Sequence, residues 1–118
     1  MLDDRDLEFI NALRSLKVPR WVAALIAYLA NAKEATSREI ELGTGLRQPE
    51  VSIGMSKLRE KNWVIERDIK TEGKGRPKKI YRLSVPIEKI IEYFEVKKTS
   101  ESVRAKLAIQ KLKEMAAT

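Results

Sequence analysis

The sequence predicts a mainly α-helical chain with one small β-hairpin, an α+β fold class. Through most of the chain, apolar residues recur at spacings of three and four, which is the period of an amphipathic helix. Between residues 63 and 85, apolar and polar residues instead alternate on both sides of a segment rich in Lys, Arg, Gly and Pro, as in two strands and their connection. The 118 residues suffice for one compact domain, so we expect residues 1–118 to form a single domain.

Two helices are predicted before the middle of the chain. Residues 3–16 carry a wide apolar stripe, and Asp3 and Asp4 stand where acidic side chains favour a helix N-terminus. Pro19 suits the first turn of a second helix over residues 19–32. This second helix is apolar almost all round, so we expect it to be the central buried helix.

A third helix is predicted to begin at Thr36, because Thr36-x-x-Glu39 is a capping-box pattern. Ile40 and Leu42 are expected to point inward from it. Residues 43–45, Gly-Thr-Gly, are expected to end the helix and to supply positive-φ positions for a tight turn.

A fourth helix is predicted over residues 48–61, and Pro49 is a good start signal for it. Asn62 suits the left-handed position at which a helix stops. The inward stripe of this helix is expected to consist of Val51, Met55 and Leu58.

Two strands are predicted next, over residues 63–70 and 80–85, with Tyr81, Leu83 and Val85 pointing inward. The segment between them, residues 71–79, has no apolar side chain and reads as a long hairpin tip.

The end of the chain reads as two more helices. Ile87, Ile90, Ile91 and Phe94 form one helical stripe, and the polar residues 97–102 are expected to separate it from a last helix over residues 103–116. The apolar residues of this last helix have little left to cover on so small a domain. We therefore expect them, with help from residues 3–16, to form a dimer interface, made by Val103, Leu107, Ile109, Leu112 and Met115.

The net charge of +7 is concentrated in the middle of the chain. Residues 35–85 carry twelve basic and seven acidic side chains, whereas residues 1–34 carry five of each. A basic segment attracts polyanions, which are nucleic acid or an anionic membrane surface. Because the charge coincides with the helix-turn-helix and hairpin pattern, nucleic acid is favoured.

The chain has no Cys and no His. This excludes disulfides, thiol chemistry, Cys/His metal sites and nucleophilic catalysis by His or Cys. No carboxylate cluster suggests another kind of active site, so we expect no catalytic residues, no metal, no cofactor and no enzymatic activity. The sequence contains no apolar run of the roughly 20 residues that cross a membrane. The acidic N-terminus does not read as a signal peptide, so the expected location is the cytoplasm.

The order helix, Gly-rich turn, helix, strand, basic loop, strand resembles the winged-helix DNA-binding fold. More closely, it resembles the small bacterial and archaeal transcription regulators of the MarR and TrmB-like group. About 50 residues carry the resemblance strongly, and the flanking helices match only loosely. The matching features are the capped helix at Thr36, Gly43 and Gly45 in the turn, Val51-Ser52, the segment 58–65 and the segment 75–81.

The resemblance implies that residues 48–61 are a recognition helix whose N-terminal part enters the major groove. Arg47 could contact guanine or a phosphate, Gln48 could pair with adenine, and Ile53 could meet a thymine methyl group. Glu50 either reads cytosine or caps its own helix. An ordinary solvated helix face is the alternative for the whole set of candidates, which are Arg47, Gln48, Pro49, Ser52, Ile53, Ser56 and Lys57.

The hairpin tip would then be the wing. The residues 74–77, Lys-Gly-Arg-Pro, are close to the AT-hook core Arg-Gly-Arg-Pro, which lies in a narrow A·T minor groove. The resemblance implies that Arg76 inserts into the minor groove while Lys74, Lys78 and Lys79 hold phosphates. The alternative is a solvated tip that uses Gly and Pro only for turn geometry.

Together these features imply a homodimeric regulator of transcription, with a DNA-binding core over residues 19–85 and dimerisation helices over residues 3–16 and 87–117. Repression is the expected output, on a pseudo-palindromic double-stranded site. Whether a small-molecule effector exists is left open. Two other classes also stay open: a protein-interaction subunit of a transcription or chromosome-organising complex, and a winged helix that binds RNA or a replication origin.

Overall fold

The computed structural model describes residues 2–69 and 78–117. These residues form two compact units, of which the first ends at Pro86 and the second begins at Ile87. The first unit holds four helices and three short strands, and the second is one long helix. In chain order the elements are α1 (Asp4–Ser15), α2 (Arg20–Asn31), β1 (Ala35–Thr36), α3 (Ser37–Thr44), α4 (Gln48–Glu60), β2 (Val64–Ile69), β3 (Lys78–Leu83) and α5 (Ile87–Ala117).

Helix α2 is the centre of the first unit, as its composition predicted. Most of its residues are buried, and α1, α3 and α4 all pack against it. Helix α1 contributes Ile10 and Leu13 to this core, and the Asn31 side chain fixes it to α2 by donating to Asp6 Oδ1 at 2.6 Å. The predicted inward stripe of α4 is confirmed, because its three members, Val51, Met55 and Leu58, are at most 2% exposed.

Two glycines let α3 and α4 approach α2 closely. A Cβ built at Gly43 would meet the Tyr28 ring, 2.9 Å from Cδ2, and one built at Gly54 would meet the end of the Leu25 side chain. The prediction that Gly43 belongs to the turn was therefore wrong, since it lies inside α3 and serves packing. Only Gly45 takes the positive φ expected of the turn, at 75°.

Helices α1 and α3 both begin with reciprocal caps. In α3 the Glu39 N–H donates to Thr36 Oγ1 at 3.1 Å and the Thr36 N–H donates to Glu39 Oε1 at 2.9 Å, which confirms the predicted box. Asp3 and Asp6 form the same box at α1. The hydrogen bond from the Asp6 N–H holds the pKa of the Asp3 carboxyl below its usual value.

Removing the α3 cap should destabilise the chain modestly. Thr36→Ala leaves the Glu39 N–H without its side-chain acceptor, so we expect the free energy of unfolding to fall by about 1 kcal/mol in a urea titration. Thr36→Ser, which keeps the hydroxyl, is the control and should stay near wild type. Equal losses in both variants would mean that the threonine methyl group, rather than the cap, carries the effect.

Leu42 does not point inward, contrary to prediction. It is 67% exposed, whereas Ile40 is completely buried. A helix turns roughly 100° per residue, so two residues apart lie on roughly opposite sides and cannot both face α2. Burial of Ile40 thus fixes Leu42 in solvent.

The sheet has three antiparallel strands in the order β1-β3-β2, one more than the predicted hairpin. The added strand β1 pairs Ala35 with Tyr81, and two residues are too few for any alternation to show in a sequence. Strand β3 begins two residues earlier than predicted, and its Tyr81 is buried as expected. Asn62 confirms the predicted left-handed stop before β2, with φ of 61°.

Helix α5 runs without a break, so the predicted interruption at residues 97–102 was wrong. That stretch holds Lys, Thr, Ser and Glu but no Gly or Pro, and polar residues do not end a helix whose surface is solvated. Within α5, Ile90 and Phe94 are buried, and the residues from 95 to 117 are all exposed.

Candidate nucleic-acid interface

Helix α4 starts at an unusual N-cap, Arg47, and is capped from inside the helix. The Arg47 side chain has no acceptor to offer, but the Glu50 carboxylate accepts from the Arg47 N–H at 3.0 Å. Of the two roles predicted for Glu50, the structure shows capping of its own helix. An acid in the first turn also complements the helix dipole.

All of the predicted contact residues of α4 are exposed, while its other side is buried. Beyond the N-cap they form two adjacent rows at i, i+4 spacing, so they share one face of the helix. Ile53 is 54% exposed in the middle of this face. The face therefore offers an amide, two hydroxyls, a cation and two apolar side chains, and its members are Gln48, Ser52 and Ser56 in one row and Pro49, Ile53 and Lys57 in the other.

Two of the four predicted wing residues belong to the part of the chain that the structure describes. Lys74 and Arg76 lie outside the described residues. Lys78 and Lys79 are the first residues of β3, and both are exposed. The two described wing lysines are thus held by a strand of the sheet.

A polar cleft lies between the start of α3, the face of α4 and β3, and we call it the α3–α4–β3 cleft. Its volume is about 160 Å³, and Val51 and Met55 contribute to its lining. Its polar lining combines predicted recognition-helix residues with a predicted wing residue, since it comprises Ser37, Gln48, Ser52, Arg59, Lys79 and Tyr81. The fold therefore places Lys79 close to α4.

A second cleft, of about 280 Å³, runs along the N-terminus of α3 and is lined by Ser37, Arg38, Lys78 and Lys79 among others. Sequence reasoning missed Ser37 and Arg38 as candidates. The Thr36 capping box could have pointed to them, because the first turn of a capped helix exposes N–H groups that attract anions. Arg59 was also missed, since its distance from the N-terminus of α4 gave no signal.

One carboxylate forms ion pairs with two of the cations that line the α3–α4–β3 cleft. Glu66 Oε2, on β2, lies 3.0 Å from Arg59 Nη1 and 3.9 Å from Lys79 Nζ. A separate pair joins Arg67 Nη2 to Glu34 Oε2 at 2.8 Å. In antiparallel register Glu66 stands opposite Tyr81 and Arg67 opposite Ile80, so the two ion pairs lie on opposite faces of the sheet.

Over residues 2–69 and 78–117, acidic side chains do not gather in any group of three or more that could hold a metal ion. Among those same residues, every helix is too short or too polar to cross a membrane.

No protein-family model and no curated protein matches the chain. Solved structures do match its fold. A possible transcriptional regulator from Methanosarcina mazei Go1 superposes with a TM-score of 0.61 at 17% identity, over 86% of this chain and 85% of that one.

Two further structures are similar. TrmBL2, an archaeal chromatin protein whose structure shows a novel mode of DNA binding, matches with a TM-score of 0.56 at 19% identity, over 96% of this chain but only 42% of its own. A MarR family transcriptional regulator from Silicibacter pomeroyi DSS matches with a TM-score of 0.54 at 19% identity, over 86% of this chain and 64% of its own. This chain therefore spans less than half of TrmBL2 and less than two thirds of the MarR family regulator. The chain has the winged helix-turn-helix fold, with α3 and α4 as the helix pair and β2 and β3 as the strands of the wing.

Proposed function

We propose that the chain is a transcription regulator that binds double-stranded DNA sequence-specifically as a homodimer. The observation that carries the proposal is the exposed polar face of α4, bordered by the cationic α3–α4–β3 cleft. A helix that exposes amide, hydroxyl and apolar groups can read base edges, and cations beside it can hold the backbone. The resemblance in fold to a possible transcriptional regulator and to a MarR family transcriptional regulator supports this proposal.

The N-terminal part of α4 enters the major groove in this proposal, because a recognition helix places its first turns against base edges. Gln48 pairs with adenine, and Ile53 meets a thymine methyl group. Arg47 contacts guanine or a phosphate, and Lys57 contacts a phosphate. Ser52 and Ser56 reach phosphate or bases.

The wing grips the neighbouring backbone. Lys79, on the β3 side of the α3–α4–β3 cleft, and Lys78, in the second cleft along the N-terminus of α3, hold phosphates. Lys74 and Arg76 complete the proposed contacts, and Arg76 is the residue proposed for the minor groove.

Helix α5 supplies the proposed dimer interface. The five apolar side chains proposed for the interface, all between residues 103 and 115, are 51–65% exposed, far more than a helix of a monomer normally leaves uncovered. At roughly 100° per residue, Val103 and Leu107 lie on one side of the helix, and Ile109, Leu112 and Met115 lie on the opposite side. A second copy of α5 would cover one of these two sides.

A two-fold dimer presents two recognition helices, so the proposed site is a pseudo-palindrome with half-sites about one helical turn apart. We propose repression as the output, because a dimer bound over a promoter blocks access to it without any further contact.

Selection of bound fragments from the source genome, washed at rising salt and sequenced, tests the proposal. A salt-resistant set that shares a two-fold symmetric motif upstream of genes would support it. Uniform loss of all fragments with salt would contradict sequence-specific binding, since phosphate contacts alone give salt-sensitive affinity. The chain would then be a candidate for binding protein partners or RNA.

The role of Gln48 can be tested separately. Gln48→Ala should relax the preference for one base pair in each half-site by roughly 1–3 kcal/mol, measured by competition among duplexes that differ at single positions. Lys57→Ala is the control, since loss of a phosphate contact weakens all duplexes alike. Uniform weakening by Gln48→Ala would show that this side chain reads no base.

A further inference from the structure

We propose that the α3–α4–β3 cleft binds one phosphate of the DNA backbone, and that Glu66 competes with this phosphate for Arg59 and Lys79. The inference rests on the proposed DNA-binding function and adds a specific subsite and an internal competitor to it.

The geometry of the cleft suits an oxyanion. Ser37 and Ser52 bring hydroxyl donors from two different helices, and Lys79 brings an ammonium group from the sheet. Ser37 is also the first residue of α3, where the helix dipole favours negative charge. Donors from three elements thus surround one small space, as a phosphate requires.

The place of the cleft suits the backbone in particular. One wall is α4, whose exposed face is proposed to lie in the major groove, and another wall is β3 of the wing. A DNA strand that leaves the groove beside α4 must pass the wing. The cleft therefore lies where a phosphate of that strand would arrive.

Glu66 neutralises part of this site when DNA is absent. Its Oε2 atom is shared between Arg59, at 3.0 Å, and Lys79, at 3.9 Å. The side chains of these two cations remain 41% and 53% exposed, so the ion pairs are screened by water and exchange readily. A DNA phosphate can consequently replace the carboxylate at the cations.

Glu66 therefore places a negative charge, which opposes DNA binding, within the proposed DNA interface. Every duplex that fills the cleft must displace Glu66, which lowers the affinity for all DNA equally. Sequence-specific contacts made by α4 are unaffected. The ratio of specific to non-specific affinity therefore depends on α4, whereas Glu66 lowers both affinities by the same factor.

Glu66→Gln tests the competition, with Glu34→Gln as a matched control. Both variants remove one negative charge and break one Arg ion pair, but Glu34 pairs with Arg67 on the other face of the sheet. In fluorescence anisotropy titrations with a selected site and an unrelated duplex, Glu66→Gln should bind both about threefold more tightly than Glu34→Gln does. Circular dichroism verifies that both variants are folded.

Equal affinities of the two variants, or weaker binding by Glu66→Gln, would overturn the competition. Weaker binding would mean that Glu66 holds Arg59 and Lys79 in their binding positions. A wild-type chain that binds neither duplex at low salt would overturn the proposed function itself, and with it this inference, so the two failures are distinguishable.

The phosphate subsite has its own test. Duplexes carrying single neutral methylphosphonates along the site are titrated with wild type and with Lys79→Ala. We expect one position per half-site at which the neutral linkage weakens wild type about fivefold and Lys79→Ala much less, because the variant has already lost that contact. If every position weakens both proteins equally, the cleft does not hold a phosphate.

Discussion

Replacing Gly54 with valine should destabilise the chain by about 1–3 kcal/mol, the usual cost of forcing extra methyl groups into a packed core. A Cβ at this position would meet the end of the Leu25 side chain and lie 3.3 Å from Trp21 Cε3. Leu25 is completely buried in α2 and has no exit to solvent. Helix α4 must therefore move away from α2, which urea unfolding monitored by circular dichroism measures.

The same substitution should also weaken DNA binding, if the chain binds DNA as proposed. Moving α4 displaces the whole exposed face relative to the wing, so affinity falls even when the variant is studied well below its unfolding midpoint.

Two control variants separate packing from helix propensity. Ser56→Val adds a β-branched residue to the exposed face of the same helix and should change stability by no more than about 0.5 kcal/mol. Gly54→Ala gains about 1 kcal/mol in helix propensity but still meets Leu25, so it should fall between wild type and Gly54→Val. Equal stabilities of Gly54→Val and Ser56→Val would show that α2 and α4 do not approach closely at this point.

The second large effect is expected in α5. Leu107→Asp should convert the proposed dimer to a monomer and lower the affinity for a two-half-site duplex at least about tenfold, because the second half-site is then no longer bound by a linked subunit. Leu107 is 62% exposed, so a charged side chain is tolerated by the free helix and damages only an interface. Sedimentation equilibrium measures the association, and circular dichroism verifies the helix.

Leu112→Asp, on the other side of α5, identifies the side that pairs. If only one of the two variants dissociates, that side is the interface between copies. Lys106→Gln lowers the net charge by the same one unit at a position about 60° from either apolar side, and should leave the dimer intact. A wild-type chain that sediments as a monomer at micromolar concentration would contradict the homodimer directly.

Much of the candidate site could be predicted from the sequence, because its signals are local. The Thr36 cap, the stop at Asn62 and the inward stripe of α4 each depend on residues within one or two turns of one another. Once the inward stripe is known, the helical period fixes which residues of α4 are exposed. This is why the predicted contact residues all lie in solvent.

Other parts of the candidate site could not be predicted from local sequence signals. The roles of Arg59 and Glu66 depend on β2 and β3 pairing so that the Glu66 face of the sheet turns toward α4. Nothing near either residue in the chain signals the other. The role of Glu50 was left with two alternatives, and only the position of the Arg47 N–H decided between them.

The sequence by itself determined the fold class, the helix starts and the buried faces, because capping, turn residues and apolar periodicity act over a few residues. The tertiary structure alone decided the strand β1 and the packing roles of Gly43 and Gly54. It also decided that Lys79 lies in a cleft with residues of α4. These features depend on distances between elements that are far apart in the chain, and those distances are set by how the side chains of α2 fill the core.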